Sequence, residues 1–131
     1  MSDAGDIVAA ILADVSAAVS LGGSSVESVS VESLPEDSFP FAMIVQTDYS
    51  SDRLDWIQEQ RSWIISGQLF QRGGTRDDMQ TKLEAVRDQL AADPTLGGVV
   101  DDATVDVAVP DSHPDAETIA GEFSVQALKV A

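Results

Sequence analysis

The alternation of hydrophobic and polar positions predicts two helices and five strands along the chain. After Thr75, apolar residues recur at spacings of four, three and four, which places them on one stripe of a helix. The stripe consists of Met79, Leu83, Val86 and Leu90. Thr75 stands three residues before Asp78, which predicts a capping box at the helix start. Asp93-Pro94 predicts its end, because proline disfavours helical geometry in the residue before it.

A first helix is predicted over about residues 3–21. Its apolar stripe consists of Ile7, Val8, Ile11, Leu12, Val15 and Val19. The pair Gly22-Gly23 follows, and glycine tolerates the left-handed conformation that commonly ends a helix. The many alanines between the stripe residues predict a narrow helix that can pack closely on a sheet or on another helix.

The remaining periodicity is that of strands. Strands are predicted at residues 25–33, 41–47, 56–71, 104–109 and 118–130. The run 41–47 is almost continuously apolar, which predicts a strand buried on both faces, and the polar residues 48–55 predict a turn. The strand at 56–71 is longer than a typical strand, so part of it is expected to project beyond the sheet.

The predicted order is α-β-β-β-α-β-β, without an internal repeat or a linker. This order is typical of the α+β class, in which helices cover one face of a sheet. We therefore predict a single domain over residues 1–131, with a mostly antiparallel or mixed sheet of about five strands and two helices packed on it.

Two segments together resemble a known family. One is the strand Trp63-Ile-Ile-Ser-Gly-Gln-Leu-Phe70, and the other is the helix end and turn Leu90-Ala-Ala-Asp-Pro-Thr-Leu-Gly-Gly-Val99. Their character and their order are similar to those of the tail terminator (tail completion) proteins of long-tailed viruses. The resemblance extends over the whole chain in element order and over about a third of it in motif. The motif is structural rather than catalytic.

The charge balance narrows the choice of partners. The chain has 23 acidic and seven basic residues, a formal net charge of −16. The acids are spread over every segment, whereas a disordered acidic tail would carry them in blocks. Self-repulsion of this size is screened in molar salt, where the Debye length is about 3 Å, so we interpret the composition as adaptation to high salt, as in a haloarchaeal host or its virus. A merely acidic mesophilic protein is the alternative, and a chain without a basic surface is not expected to bind free nucleic acid.

Other bulk properties exclude several classes of protein. The absence of cysteine excludes disulfides and thiolate metal sites. No apolar run approaches the roughly 20 residues that span a bilayer, so no membrane association is expected. The start Met1-Ser2-Asp3 is acidic, unlike a secretory signal.

Three patterns could carry chemistry, and each has a simpler explanation. Asp111, His113 and Asp115 alternate in a predicted loop, but a metal site needs three or four ligands with supporting hydrogen bonds, and a solvated turn explains them better. Adjacent acidic residues could serve in acid–base catalysis, but pairs of them are expected by chance in so acidic a chain. These pairs are Glu36-Asp37, Asp77-Asp78 and Asp101-Asp102. The Gly73-Gly74-Thr75 turn lacks the spacing and the lysine of a phosphate loop. We therefore expect no catalytic residue, no metal and no cofactor.

One cluster favours an interaction site. Arg53, Trp56, Ile57 and Arg61 bring together residue types that are scarce in this chain. Tryptophan and arginine are enriched at the energetic centres of interfaces. These four residues are the candidate subunit interface, and the alternative is that Trp56 covers the edge of the core.

The resemblance implies a structural role without enzymatic activity. A tail terminator forms a ring, by resemblance a hexamer, that caps the tail tube and joins it to the head connector or stopper protein. The expected partners are further copies of the chain, the tail tube protein, that connector, and DNA passing through the lumen without specific binding. The expected location is the tail or neck of the virion, assembled in the host cytoplasm. Alternatives are another neck or tail component, such as a head–tail connector or tail tube protein, and a small cytoplasmic binding domain or enzyme of a halophile.

Overall fold

A computed structural model describes residues 3–27, 29–30, 33–53, 55–109 and 118–130. Within them the chain forms two α-helices and one five-stranded sheet in the order α-β-β-β-α-β-β, which confirms the predicted α+β class. The elements are α1 (Asp3–Val19), β1 (Gly23–Ser25), β2 (Phe41–Arg53), β3 (Glu59–Arg72), α2 (Arg76–Ala91), β4 (Asp102–Ala108) and β5 (Thr118–Val130), with a short 3-10 helix at Glu36–Ser38 before β2. No helix in these residues is both long enough and apolar enough to span a membrane.

The sheet has the strand order β1-β2-β3-β5-β4. Strand β1 runs parallel to β2, and every other neighbouring pair is antiparallel. A register shift between Ile44 and Gln46 leaves Val45 as a bulge in β2. Strand β3 is paired with β2 on one side and with β5 on the other, out to Gln60. The expectation that part of this strand projects beyond the sheet was therefore wrong, because both neighbours are almost as long.

Both helices pack on one face of the sheet and enclose the main core. The alternation along β3 places Trp63, Ile65 and Leu69 on this face, and Phe123 and Val125 of β5 lie beside them. The predicted stripe of α2, Met79, Leu83, Val86 and Leu90, is buried as expected. The capping box is also confirmed, since the Thr75 hydroxyl accepts from Asp78 N–H and the Asp78 carboxylate accepts from Thr75 N–H.

The opposite face of the sheet, called here the open face, is covered only at one end. There Phe41, Met43 and Phe70 form a small second core with Leu34 and Phe39. Along the rest of this face the strands present mainly serine, glutamine and acidic side chains. Exposed apolar residues among them are few, and Ile64 is one. A face of this composition is solvated and needs no second layer of structure.

Several predicted boundaries were wrong. The first strand occupies Gly23–Ser25 rather than residues 25–33, because it pairs only with the start of β2. The second strand continues through the polar residues predicted to form a turn, and only its residues 41–44 are buried. The first helix ends at Val19 rather than near residue 21. The predicted loop with Asp111, His113 and Asp115 lies outside the described residues.

A hydrogen-bonded exposed loop as the candidate interface

The candidate interface residues lie at the tip of the β2–β3 hairpin and beside it. Arg53 ends β2 and faces Glu59, which begins β3. Trp56 and Ile57 belong to the connecting loop, and Arg61 lies two residues into β3 from Glu59. The structure brings the four residues together, because all of them line one shallow groove at this end of the molecule.

The loop is held by its own side chains. The Asp55 carboxylate oxygen Oδ1 accepts hydrogen bonds from the N–H groups of Ile57 and Gln58, both at 2.8 Å. This arrangement is an Asx-turn, in which the aspartate side chain takes the place of a backbone carbonyl as the hydrogen-bond acceptor. The Arg53 guanidinium donates to the carbonyl oxygens of Asp55 at 3.2 Å and of Trp56 at 3.3 Å. The backbone beneath Trp56 is therefore fixed from two sides.

The loop therefore exposes two neighbouring apolar side chains to solvent. Trp56 is 92% exposed and Ile57 is 86% exposed. The alternative that Trp56 covers the edge of the core was therefore wrong. The second tryptophan, Trp63, fills that role, since it is 3% exposed and its ring centroid lies 5.3 Å from that of Tyr49. Trp56 lies instead in the loop at the tip of the β2–β3 hairpin.

The remaining sequence candidates have structural explanations. Asp77 and Asp78 lie in the first turn of α2, where acids suit the helix dipole, and Asp101 Oδ2 accepts from the Val130 N–H. Gly73 and Gly74 both have positive φ, so their turn uses a conformation that glycine adopts without strain. Within the described residues, no group of three or more His, Asp or Glu side chains is arranged to hold a metal ion.

Sequence reasoning missed two polar clusters. Asp14 on α1 lies beside Asp93 after α2, and burial, together with the hydrogen bond and the charge of Asp93, raises the pKa of Asp14 to about 6. The second cluster joins the buried Gln71 to Lys82. A weak signal existed only for the second, since Gln71 occupies a core-facing position of an alternating strand.

Comparison with known proteins adds no assignment. No family model matches the chain, and no curated protein matches it.

Proposed function

We propose that this protein is a structural subunit of a tailed virus, a tail terminator that forms a ring, a hexamer by the resemblance described above. The ring would cap the tail tube and join it to the head connector or stopper protein. The observation that supports this most is the exposed loop, whose backbone is held by hydrogen bonds to Asp55 and Arg53. It presents Trp56 and Ile57 to solvent at the end of a three-stranded ribbon, with Arg53 and Arg61 beside them.

The loop has the properties of an energetic centre of an interface. Single exposed apolar side chains are ordinary on protein surfaces. Here, two adjacent ones lie on backbone that hydrogen bonds to Asp55 and Arg53 hold in place, so the loop loses less backbone entropy when a partner covers them. Removing a central tryptophan from such a contact typically costs about 2 kcal/mol or more, which is roughly thirtyfold in affinity.

The open face supports the passage of DNA through such a ring. By strand alternation it carries Asp48, Asp106 and Glu122, and its central part in the described residues has no basic side chain. A lumen lined by this face would repel phosphate groups, so DNA could slide without adhering. In this proposal the ring belongs to the tail or neck of the virion, is assembled in the host cytoplasm, and works in high salt.

Self-assembly of the purified protein in about 1 M salt tests the proposal. Light scattering and electron microscopy should show a closed ring of discrete mass. Open-ended tubes would favour a tail tube protein, because a contact that does not close continues as a filament. A protein that stays monomeric at all concentrations would contradict the proposal and favour a small binding domain.

The tryptophan variant makes this test specific. Trp56→Ala should leave the circular dichroism spectrum and the unfolding midpoint almost unchanged, because the side chain is 92% exposed. It should weaken ring formation by about thirtyfold or more. Val26→Ala is the matched control, since Val26 is also an exposed apolar residue but lies away from the loop. Normal assembly of the tryptophan variant, or its unfolding, would exclude the loop as the interface.

A further inference from the structure

A second groove lies at the other end of β3 from the exposed loop. It has a volume of about 430 Å³, which is within the usual range of roughly 300–1,000 Å³ for binding pockets. Its lining is Glu36, Phe39, Pro40, Gln71, Arg72, Gly73, Gly74 and Lys82. Apolar rings and two of the chain's seven basic residues therefore meet in one place.

The polar side of this groove is organised by a buried side chain. Gln71 is 7% exposed, and its Nε2 donates to the Gly73 carbonyl oxygen at 2.8 Å. This bond fixes the amide so that Oε1 accepts from Lys82 Nζ, also at 2.8 Å. An ammonium has three donors, and this is the one hydrogen bond that Lys82 makes to a described residue. The remaining donors can meet an acceptor on a partner.

The apolar side of the groove carries the other cation. The Arg72 guanidinium carbon lies 4.4 Å from the centroid of the Phe39 ring, and Nη1 donates to the Leu34 carbonyl oxygen at 3.4 Å. Contact of this kind holds the guanidinium against the ring. An incoming aromatic side chain would therefore find a ring, a proline and a planar cation side by side.

We propose that this groove is the receptor for the exposed loop of a second copy of the chain. Trp56 and Ile57 would pack against Phe39, Pro40 and Arg72, and the carboxylates beside them would approach Lys82. The proposal rests on the self-assembly proposed above and names the surface that the loop contacts.

Charge favours a second copy as the occupant. The loop and its flanks carry Asp52, Asp55 and Glu59 against Arg53 and Arg61, a local balance of −1, and Arg53 is engaged with the loop's own carbonyl oxygens. The ionisable residues that line the groove are Arg72 and Lys82 against Glu36, a local balance of +1. In a chain of net charge −16, a groove of this sign is complementary to the acidic tip of the same protein.

Geometry excludes an internal contact. The loop and the groove are separated by the length of β3, which at 14 residues spans roughly 45 Å. Each copy therefore carries one loop and one groove at opposite ends, and the contact between copies is heterologous. Contacts of this type form a ring when the rotation between copies closes.

Thiol cross-linking tests the contact directly, because the chain has no cysteine of its own. Ile57→Cys and Glu36→Cys are prepared as separate proteins, checked by circular dichroism, mixed in molar salt and treated with a short bismaleimide. We expect the main product to be the mixed dimer, in which position 57 of one copy is joined to position 36 of the other. The control mixes Ile57→Cys with Asp106→Cys, which places the second thiol on an exposed position of the open face.

The outcomes separate this inference from the proposed function. Suppose that the wild-type protein forms a normal ring, but the loop-to-groove dimer forms in no greater yield than the control dimer through position 106. That result would overturn this inference and leave the proposed function standing. A main product that joins position 57 to position 57, loop to loop, would do the same and would indicate a two-fold contact. A wild-type protein without any self-association would overturn both proposals.

Lys82 provides a second measurement. Lys82→Gln should weaken self-association by about tenfold, the usual effect of losing a hydrogen bond to a charged group. Arg87→Gln on the same helix is the control, because Arg87 is half-exposed and its partner is the adjacent Asp88. Equal association constants for the two variants, with both folded, would contradict the inference.

Discussion

The contact between α2 and β5 allows a prediction about stability. One mutation should destabilise the wild-type protein and stabilise a variant that already carries a second mutation. Leu83 is 1% exposed and packs over Gly121. A Cβ atom at position 121 would lie 2.7 Å from Leu83 Cδ1 and 2.8 Å from Met79 Sδ, both too close for real contacts. The glycine is therefore the residue that lets the helix stripe approach the sheet.

The expected magnitudes combine this geometry with the typical costs of cavities and of overpacking. Leu83→Ala should lower the free energy of unfolding by about 3–4 kcal/mol, within the range for a fully buried leucine. Gly121→Ala alone gains about 0.5–1 kcal/mol from the better strand residue and loses about 1–3 kcal/mol to overpacking, so it should destabilise. In the Leu83→Ala background, the new methyl group partly fills the cavity, and Gly121→Ala should stabilise.

Urea unfolding followed by circular dichroism in molar salt measures all four proteins of this cycle. Urea is preferable to guanidinium chloride because it leaves the ionic strength unchanged. The expected coupling is about 1.5–2 kcal/mol, within the range for residues in contact. Leu90→Ala combined with Gly121→Ala is the control and should be additive, because Leu90 lies two helical turns beyond Leu83 and the three heavy atoms nearest to a Cβ at position 121 belong to Leu83 and Met79. If the effects of Leu83→Ala and Gly121→Ala also add within about 0.5 kcal/mol, Leu83 does not pack over Gly121 as described.

Three further predictions concern charge and the helix start. The thermal midpoint should fall as salt is reduced from molar to about 0.1 M, where the Debye length reaches about 10 Å; an unchanged or higher midpoint would contradict adaptation to salt. Asp14→Asn should raise the free energy of unfolding above pH 6 by about 1 kcal/mol and leave it unchanged near pH 4. The folded-state pKa of Asp14 is raised from 3.8 to about 6, so wild-type stability is lost as pH rises through that window. The full shift corresponds to at most about 3 kcal/mol, lowered here for solvent screening. Equal urea midpoints for the wild type and Asp14→Asn at pH 7 would contradict this prediction. Thr75→Ala should cost about 1 kcal/mol by removing the cap, and Thr81→Ala, which changes a hydroxyl in the next turn, should cost less in the same assay.

The exposed loop was only partly predictable from sequence. The clustering of tryptophan and arginine in a chain with few of either identified the four residues correctly as neighbours. Whether Trp56 covers the core or faces solvent could not be decided, because both positions suit an amphipathic ring. The hydrogen bonds that Asp55 accepts and Arg53 donates hold the loop backbone in a turn in which Trp56 is 92% exposed, and sequence alone does not show this turn.

The sequence by itself determined the elements whose signals are local. The bounds of β5, the capping box and the buried stripe of α2 followed from spacing and capping chemistry, which act over a few residues. The length of β2 did not, because residues 48–53 are polar and become a strand only where β3 supplies a ladder of hydrogen bonds. The position of β1 likewise depends on its pairing with Phe41 and its neighbours.

Tertiary structure alone brought together the groups that lie far apart in the chain. Lys82 meets Gln71 across the β3–α2 turn, and Asp14 meets Asp93 between the two helices. Neither pair has a local pattern, because a side chain's partner across a helix–sheet or helix–helix contact depends on how the elements pack. For the same reason, only the fold shows that the exposed loop and the cationic groove lie at opposite ends of one strand, so that a single chain cannot join them.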